Sequence, residues 1–386
     1  MATSPFIITE HIVDGQHIRE YPHATRRGDD ALKLVAKRYT PKSNPNPQLG
    51  DVTIIGAHGS GFPKEMYEPI WEGVLSRLNA QGVRVRSIWI ADNATQSASG
   101  VLNEEYLGND PSWFDHARDL LYLINYFKAD MPRPIVGVGH SLGAGQLKDM
   151  WPSQLEAAKD FKKAYRKWDP RAIERYIKYG LRDVLPETDS TKTGAVTLTT
   201  SRHQEVVQYM RPNFHNKKPL DADNDPESLQ FHDTVFYPDT MGPSNSIYPF
   251  YRCEPVLLFK LLKHIRPSVL YLYGESSPIS TPDNRARKLE RTGKGIGGSG
   301  GYKNGRVKEV TFPGAGHALP FEAVDGVSDA TSAWLQQEIM RWKEEEERIE
   351  KGWVDLQRET RTSTSDEWRV HLKMYSEKPK NPGSKL

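Results

Sequence analysis

Short apolar runs of strand length alternate with segments of helical spacing through the first 140 residues. Val52–Ala57 and Pro134–Gly139 are apolar enough to be buried strands, and Val83–Ile90 is also predicted to be a strand. Between them, Lys64–Leu78 and Trp113–Phe127 carry their apolar residues three and four positions apart, which predicts helices. Alternating buried strands and helices are typical of a mostly parallel sheet that is covered on both faces. The alternation therefore predicts an α/β fold.

Residues 151–263 interrupt this alternation with polar helices followed by loop-rich sequence that contains many prolines. Such a segment predicts an insertion over the sheet, here a helical lid, and not a part of the sheet itself. The alternation resumes with strands at Ser268–Tyr273 and Arg306–Phe312, with a helix between them. The expected organisation is an N-terminal part of the core at 1–150, a lid at 151–263, a C-terminal part of the core at 264–353 and a tail at 354–386.

The charges of the 386 residues nearly cancel, with 52 Lys and Arg against 50 Asp and Glu. No basic block stands out, so a nucleic-acid partner is not expected. No apolar run approaches about 18 residues, so no transmembrane segment is expected, and the N-terminus has no secretory signal pattern. A single cysteine, Cys253, excludes a disulfide framework and a cysteine-based zinc site. Neither a metal nor a cofactor is expected.

The sequence Gly139-His140-Ser141-Leu142-Gly143 stands directly after one predicted strand and directly before a helix. A G-x-S-x-G match alone is frequent by chance, but this position between a buried strand and a helix is what a nucleophile elbow requires. The sharp turn exposes the serine hydroxyl, while Gly139 and Gly143 let the strand and the helix approach closely. Ser141 is therefore the candidate nucleophile.

A serine hydroxyl needs a base, and with this elbow the base is a histidine on the loop after the last strand. The last predicted strand, Arg306–Phe312, runs into Pro313-Gly314-Ala315-Gly316-His317. Small glycines and a histidine at this end of a strand would place an imidazole across the top of the sheet. His317 is therefore the candidate general base.

An oxyanion hole needs two backbone donors. One is the N–H of Leu142, the residue after the nucleophile, and the other is expected from the loop after the third strand. That loop is His58-Gly59-Ser60-Gly61-Phe62-Pro63. The Ser60 N–H is the predicted second donor, with Gly61 as the neighbouring alternative. His58 is interpreted as a residue that braces the loop.

The chain ends in Ser384-Lys385-Leu386, the tripeptide that the peroxisomal import receptor recognises. The residues before it are rich in Pro, Lys, Ser and Glu, a composition that keeps a chain end accessible. The sequence thus predicts a peroxisomal matrix protein, with the import receptor as a partner of its C-terminus.

Taken together, the HGSGFPKE loop, the GHSLG elbow, a helical lid, a final GAGH and a terminal S-K-L resemble the peroxisomal branch of the α/β-hydrolases. Fungal members of this branch include a peroxisomal lipase and the esterase-like hydrolases of host-selective toxin clusters. The resemblance runs from about Thr9 to Leu386. Its more specific stretches are Gly59–Tyr67, Trp151-Pro152-Ser153, Trp168-Asp169-Pro170-Arg171, Lys178-Tyr179-Gly180-Leu181-Arg182-Asp183 and Val196-Thr197-Leu198-Thr199-Thr200. It implies an α/β-hydrolase fold and hydrolysis of carboxylic esters or acyl lipids by a Ser-His-acid system without a cofactor.

The sequence departs from the family pattern after the nucleophile. The family's fold has a sixth strand before the lid, but here the elbow segment is followed directly by Trp151-Pro152 with no strand-like run. The usual acid position, in Gly274-Glu275-Ser276-Ser277, holds serine where the pattern has aspartate. The resemblance implies that relatives with serine there take the acid from the end of the sixth strand. Glu275 and Asp283 remain as the candidate acids of this chain.

Two classes of function follow. The first is a serine hydrolase that acts on an acyl ester, a lipid or a thioester, in lipid or toxin metabolism. The second is a protein of hydrolase fold that has lost turnover and acts as a binder. A missing sixth strand would leave the fifth and seventh strands to pair directly, or leave an open edge.

Overall fold

The expected alternation of strands and helices is present in the computed structural model, which describes residues 4–140, 150–151, 153–184, 194–212 and 250–376. The chain divides into two compact units, Met1–Gln336 and Gln337–Leu386. None of the described helices combines the length and the apolar character that crossing a bilayer requires.

The strands belong to one large and three small sheets. They are β1 (Phe6–Asp14), β2 (Lys33–Pro41), β3 (Val52–Ala57), β4 (Val85–Ala91), β5 (Ile135–Gly139), β6 (Met150–Trp151), β7 (Leu181–Asp183), β8 (Val196–Leu198), β9 (Arg211–Pro212), β10 (Phe250–Tyr251), β11 (Val269–Gly274) and β12 (Val307–Phe312).

The helices are α1 (Glu68–Ala80), α2 (Ser97–Asn103), α3 (Trp113–Tyr126), α4 (Gln154–Ala164), α5 (Pro170–Tyr179), α6 (Arg202–Tyr209), α7 (Glu254–Leu261), α8 (Pro282–Arg291), α9 (Leu319–Glu322), α10 (Val324–Glu350), α11 (Arg358–Arg361) and α12 (Asp366–Ser376). The helix predicted from Lys64 begins instead as a separate short 3-10 helix, Lys64–Tyr67. Pro69 lies in the first turn of α1. Because proline has no N–H to bond back to a preceding turn, the α-helix starts there.

The large sheet has the order β1-β2-β4-β3-β5. Strand β3 is parallel to both β4 and β5, while β1 and β2 form an antiparallel pair at the edge. The first five residues of β3 are all buried, as expected for a central strand that is covered on both faces. Trp71 of α1 and Trp89 of β4 are among the largest fully buried side chains. The predicted α/β fold is confirmed, and its large sheet is mixed, with two parallel and two antiparallel pairings among the described residues.

Strands β11 and β12 form a separate parallel pair. Among the described residues no strand of the large sheet lies between β5 and β11, and these two strands do not pair with each other. Strand β6 belongs to a small antiparallel sheet with β8 and β7. The described part of the chain therefore has a break between β5 and β11, where the sequence predicts no sixth strand.

Candidate active site

The candidate site lies where β3, β5 and β12 end. Strands β3 and β5 are parallel neighbours, so their carboxyl ends lie at the same edge, which is where open α/β sheets place their ligands. The loop after β3 contributes Ser60, the end of β5 leads into His140, and the loop after β12 contributes His317. Gly139 is the last residue of β5, as predicted.

The loop that carries His317 is hydrogen-bonded to the end of β11. The Ser276 N–H donates to Ala315 O at 2.9 Å, and the Gly314 N–H donates to Glu275 Oε2 at 3.1 Å. The approach requires a glycine at position 274, because a Cβ there would lie 2.0 Å from the Gly316 carbonyl oxygen. These contacts fix the path of the backbone that presents His317.

The Nδ1 atom of His317 lies 3.1 Å from Ser277 Oγ. Ser277 is buried, with 6% of its surface exposed, and follows β11 at the position where the family pattern has its aspartate. Burial lowers the pKa of His317, the charge of Lys288 lowers it further, and the Glu322 carboxylate opposes both. The imidazole is therefore neutral near pH 7 and able to accept a proton.

The structure does not bring either candidate acid to His317 Nδ1. Glu275 is exposed, and its carboxylate accepts the hydrogen bond of the Gly314 amide. Asp283 lies in the first turn of α8, where its side chain is 80% exposed and 3.9 Å from Arg287. The described partner of Nδ1 is the Ser277 hydroxyl, so Glu275 and Asp283 lack a described contact with the base.

Glu322 of α9 is a residue that sequence reasoning does not single out. Its Oε2 accepts the Gly316 N–H at 2.5 Å, and its charge acts on His317. The sequence signal for it is weak: Glu322 lies just after the Gly-rich loop, but a single glutamate there belongs to no recognisable motif. Glu322 is thus the described carboxylate that influences the base.

The Ser60 and Gly61 amides of the loop after β3 differ in their hydrogen bonding. The Gly61 N–H donates to Gln96 Oε1 at 3.0 Å, and Gln96 Nε2 donates to Ser60 Oγ at 2.7 Å. Among the described residues the Ser60 N–H has no hydrogen-bond acceptor, whereas the Gly61 N–H is occupied. This geometry favours Ser60 over Gly61 as the oxyanion donor.

His58 joins the loop after β3 to the segment after β4. Its Nδ1 lies 2.8 Å from Gly59 O, and its Nε2 accepts the Asn93 N–H at 2.7 Å. The ring is therefore neutral with its proton on Nδ1, and burial lowers the pKa of His58. These contacts are those of a bracing residue.

A buried ion pair anchors the same loop from below. Lys64 Nζ lies 2.7 Å from Asp92 Oδ2, and both side chains are at most 1% exposed. The Lys64 N–H also donates to Asp92 Oδ1 at 3.1 Å. Burial alone would lower the pKa of Lys64, but Asp92 and Glu65 outweigh it and raise that pKa above its ordinary value. Lys64 therefore stays charged, and the FPKE part of the loop motif has a structural role.

Ser141, Leu142 and Gly143, the other predicted members of the site, lie outside the described residues, as do Ser384, Lys385 and Leu386. Among the described residues no cluster of three or more His, Cys, Asp or Glu side chains could hold a metal ion.

Comparison with known proteins gives the following similarities. A model described as the alpha/beta hydrolase family matches residues 54–330. The type I acyl-CoA thioesterase mpaH of Penicillium brevicompactum is 36% identical over 90% of this chain and 91% of its own length. The abhydrolase domain-containing protein AFT2-1 of Alternaria alternata is 24% identical over 63% of this chain and 98% of its own length. The peroxisomal α/β-hydrolase Lpx1 of Saccharomyces cerevisiae has a TM-score of 0.60 at 14% identity, with 100% of both chains covered.

The chain belongs to the α/β-hydrolase family and is a hydrolase of that family. The similarity to fungal hydrolases inferred from its motifs is confirmed by the Penicillium and Alternaria relatives. Because 90% of 386 residues is about 347, about 60 of the 408 positions aligned with mpaH have no counterpart in this chain.

Proposed function

We propose that this chain is a serine hydrolase of acyl esters or thioesters, with Ser141 as nucleophile, His317 as general base, and the Ser60 and Leu142 amides as oxyanion hole. The observation that carries the proposal is the contact between His140 and His317. Their rings are 6.0 Å apart, and His140 Nε2 lies 3.2 Å from the His317 carbonyl oxygen. Ser141 directly follows His140 in the chain, so the loop of the proposed base contacts the residue that precedes the proposed nucleophile.

The proposed reaction has two halves. His317 Nε2 takes the Ser141 proton as Oγ attacks the acyl carbon, and the two amides bind the oxyanion that forms. Collapse breaks the bond to the alcohol or thiol, which leaves with the proton from His317, and an acyl-enzyme remains. Water, deprotonated by His317, then attacks this ester, and the carboxylic acid departs while Ser141 regains its proton.

In this proposal Ser277 takes the place that a carboxylate has in the usual triad. The base can accept a proton at Nε2 only if its resting proton is on Nδ1, and Ser277 Oγ at 3.1 Å is positioned to accept that N–H. A hydroxyl can accept the Nδ1–H as a carboxylate does, but it can also donate to Nδ1, and it brings no charge to stabilise the imidazolium.

A fluorophosphonate probe tests the nucleophile, because it labels only an activated serine. We expect labelling of the wild type and none of Ser141→Ala or His317→Ala. His371→Ala, at an exposed position of α12, is the matched control and should label normally. Hydrolysis of p-nitrophenyl esters should be lost in both single variants, and the double variant should be no worse, because the two residues act as a unit. Labelling of Ser141→Ala would refute the assignment, and a wild type that binds acyl ligands without labelling would support the binding protein instead.

We further propose that the substrate is a thioester of a phosphate-bearing carrier, of the acyl-CoA type that the name of the Penicillium relative specifies. Residues 154–179 contain eight Lys and Arg against four Asp and Glu. Four of these cations are exposed at the end of α4 and in the turn after it, without an acidic partner among the described residues: Lys162, Lys163, Arg166 and Lys167. They adjoin Trp168, whose ring contacts Phe62 and Phe321 at 5.7 and 5.1 Å.

Charge-reversal variants test whether the substrate is a thioester of a phosphate-bearing carrier or a simple ester. Lys162→Glu/Lys163→Glu should raise KM for an acyl-CoA about tenfold or more, since the phosphates lose two cations that attract them. KM for a p-nitrophenyl ester of the same acyl group should stay unchanged, because that substrate carries no phosphate. The matched control is Lys308→Glu, at an exposed position of β12. If KM changed equally for both substrates, or for neither, the substrate would not be a thioester of a phosphate-bearing carrier.

The terminal Ser384-Lys385-Leu386 supports a peroxisomal location. Deleting Leu386 should leave the protein in the cytosol, while an N-terminal fluorescent tag should leave import intact. Continued co-localisation of the truncated chain with a peroxisomal marker would contradict this address.

A further inference from the structure

The imidazole of His140 is enclosed by aromatic rings at the end of β5. It stacks on Phe62 at 5.7 Å between ring centroids with 19° between the planes, and it meets the edge of Phe321 at 5.6 Å and 87°. Burial lowers the pKa of His140 to about 4. The ring is therefore neutral at any pH where the base can work, and it does not itself take part in proton transfer.

A chain of hydrogen bonds fixes which nitrogen of His140 carries the proton. The Gly59 N–H can only donate, so Tyr67 Oη accepts it at 2.8 Å. The Tyr67 hydroxyl proton then points to His140 Nδ1 at 2.7 Å, and burial raises the pKa of Tyr67 well above its ordinary value. His140 Nδ1 is thus the acceptor, and its proton resides on Nε2.

The proton on His140 Nε2 faces the loop that carries His317. His140 Nε2 lies 3.2 Å from the His317 carbonyl oxygen, which can only accept. In the opposite tautomer a nitrogen lone pair would face that oxygen, and the two would repel. The hydroxyl of Tyr67 therefore selects the one tautomer in which His140 attracts the backbone of His317.

We propose that Tyr67 and His140 are positioning residues that hold the general base His317 in register with the nucleophile and the oxyanion loop. The proposal rests on the proposed function for its catalytic consequence. Gly59 belongs to the loop of the oxyanion donor, His140 precedes Ser141, and His317 is the base, so one chain of three hydrogen bonds joins all three parts. A displacement of about 1 Å in such a constellation costs as much as about a hundredfold in rate.

Nitrogen-15 NMR of histidine-labelled protein tests the tautomer directly. We expect a protonated Nε2 and an unprotonated Nδ1 for His140 in the wild type, with the signals assigned by their loss in His140→Gln. Tyr67→Phe should move both ring signals, because Nδ1 loses its donor and the opposite tautomer becomes less unfavourable. Unchanged ring signals in Tyr67→Phe would overturn the proposal, whether or not the chain turns over any substrate.

Kinetics test the positioning role. Tyr67→Phe should lower kcat by about ten- to a hundredfold while KM stays within about twofold, because the substrate contacts are intact. Gln at position 140 donates to the His317 carbonyl without help from Tyr67. Tyr67→Phe should therefore cost much less in a His140→Gln background.

The matched control is Tyr39→Phe, which removes another buried hydroxyl, one bonded to Glu68 Oε1 at 3.1 Å. It should lower thermal stability without changing kcat or the His140 tautomer. An equal loss of kcat in both variants, or additive losses in the double variant, would make Tyr67 a structural residue and overturn the proposal. If the wild type hydrolyses nothing, the proposed function fails, while the NMR result still decides the hydrogen-bond chain.

Discussion

At the scale of single residues, the contact between Ser277 and His317 determines how strong a base His317 is in the proposed reaction. A carboxylate beside an imidazole stabilises the imidazolium, and a serine protease in which this carboxylate is replaced by an amide loses about 10⁴ in kcat. A hydroxyl at 3.1 Å orients the ring but leaves burial to lower the pKa of His317. The proposed base therefore has a described hydrogen-bond partner at Nδ1 that carries no charge.

Ser277→Asp should raise kcat by about ten- to a hundredfold, since charge-assisted hydrogen bonds are about twice as strong as neutral ones. It should also move the half-maximal pH upward, because a carboxylate raises the pKa of His317 and activity requires the neutral ring. Ser277→Ala should lower kcat by up to about tenfold. The measurement is kcat across the pH range from acid to mildly alkaline, with the exposed Ser276→Ala as control. A profile that stays in place in Ser277→Asp would contradict the role of Ser277.

A second residue-scale prediction concerns His116 of α3, whose ring lies 5.7 Å from that of His58. Both of its nitrogens are buried and have no hydrogen-bond partner among the described residues, and burial lowers the pKa of His116 from 6.5 to about 3. Between these two pH values the unfolded chain therefore binds a proton on His116, whereas the folded chain does not. Above pH 6.5 this difference in proton binding costs no stability. Below pH 6.5 the free energy of unfolding falls as the pH drops toward 3, because the unfolded chain gains the proton.

His116→Leu should raise the free energy of unfolding by about 1–3 kcal/mol near pH 8, because two unpaired polar atoms are removed. At about pH 5 the gain should be about 2 kcal/mol larger, since the penalty of about 1.4 kcal/mol per pH unit below the ordinary pKa is no longer incurred. Urea unfolding at the two pH values measures the difference. His371→Leu, at an exposed site, should change neither value, and an equal gain at both pH values would refute the assignment.

At the scale of elements, the loop after β3 owes its position to the ion pair of Lys64 with Asp92. Removing one partner of a buried pair leaves an uncompensated charge, whereas replacing both by apolar residues is often neutral. Asp92→Asn should therefore lower the free energy of unfolding by about 3–5 kcal/mol, and Lys64→Met/Asp92→Leu should lower it much less. Asp14→Asn, from an exposed pair with Lys33, should cost at most about 1 kcal/mol. A double variant as unstable as Asp92→Asn, measured by urea unfolding, would show that the pair is not the cause.

The elements that the sequence predicts well are those with a local pattern. Strand β5 is expected at Pro134–Gly139 and is found at Ile135–Gly139, and β12 differs from its expected bounds by one residue. The start of α1 differs from the prediction because Pro69 interrupts a periodicity that otherwise runs on from Lys64. Apolar spacing identifies an element, whereas its first residue depends on a single backbone N–H.

The contacts within the site are much less predictable. Tyr67 and His140 are 73 positions apart, and no local pattern joins them. Ser277 is noticeable in the sequence only as a serine in place of an aspartate, and its bond to His317 requires the two loops to be placed side by side. Long-range hydrogen bonds follow from the arrangement of the sheet, which composition and spacing do not contain.

At the scale of the whole molecule, the break between β5 and β11 is the feature with the widest consequences. Ile135, Gly137 and Gly139 of β5 are exposed, although a strand in the middle of a hydrolase sheet is normally covered. Each buried apolar side chain that a further strand would supply contributes about 1.5–3 kcal/mol to the free energy of unfolding. The sum over several such side chains is comparable to the net stability of a domain.

Restoring a strand should therefore raise both stability and activity. Grafting the corresponding segment of the Penicillium relative between Leu147 and Trp151 should increase the melting temperature, because it covers β5 and pairs its open edge. It should also increase kcat for esters if the segment brings a carboxylate to His317, as the family resemblance implies. The control is a Gly/Ser insertion of equal length, which supplies neither a strand nor a charge and should raise neither value. If the chain as it stands already turns over esters at ordinary hydrolase rates, or if both insertions act alike, the break in the sheet does not limit the enzyme and Ser277 suffices as the partner of the base.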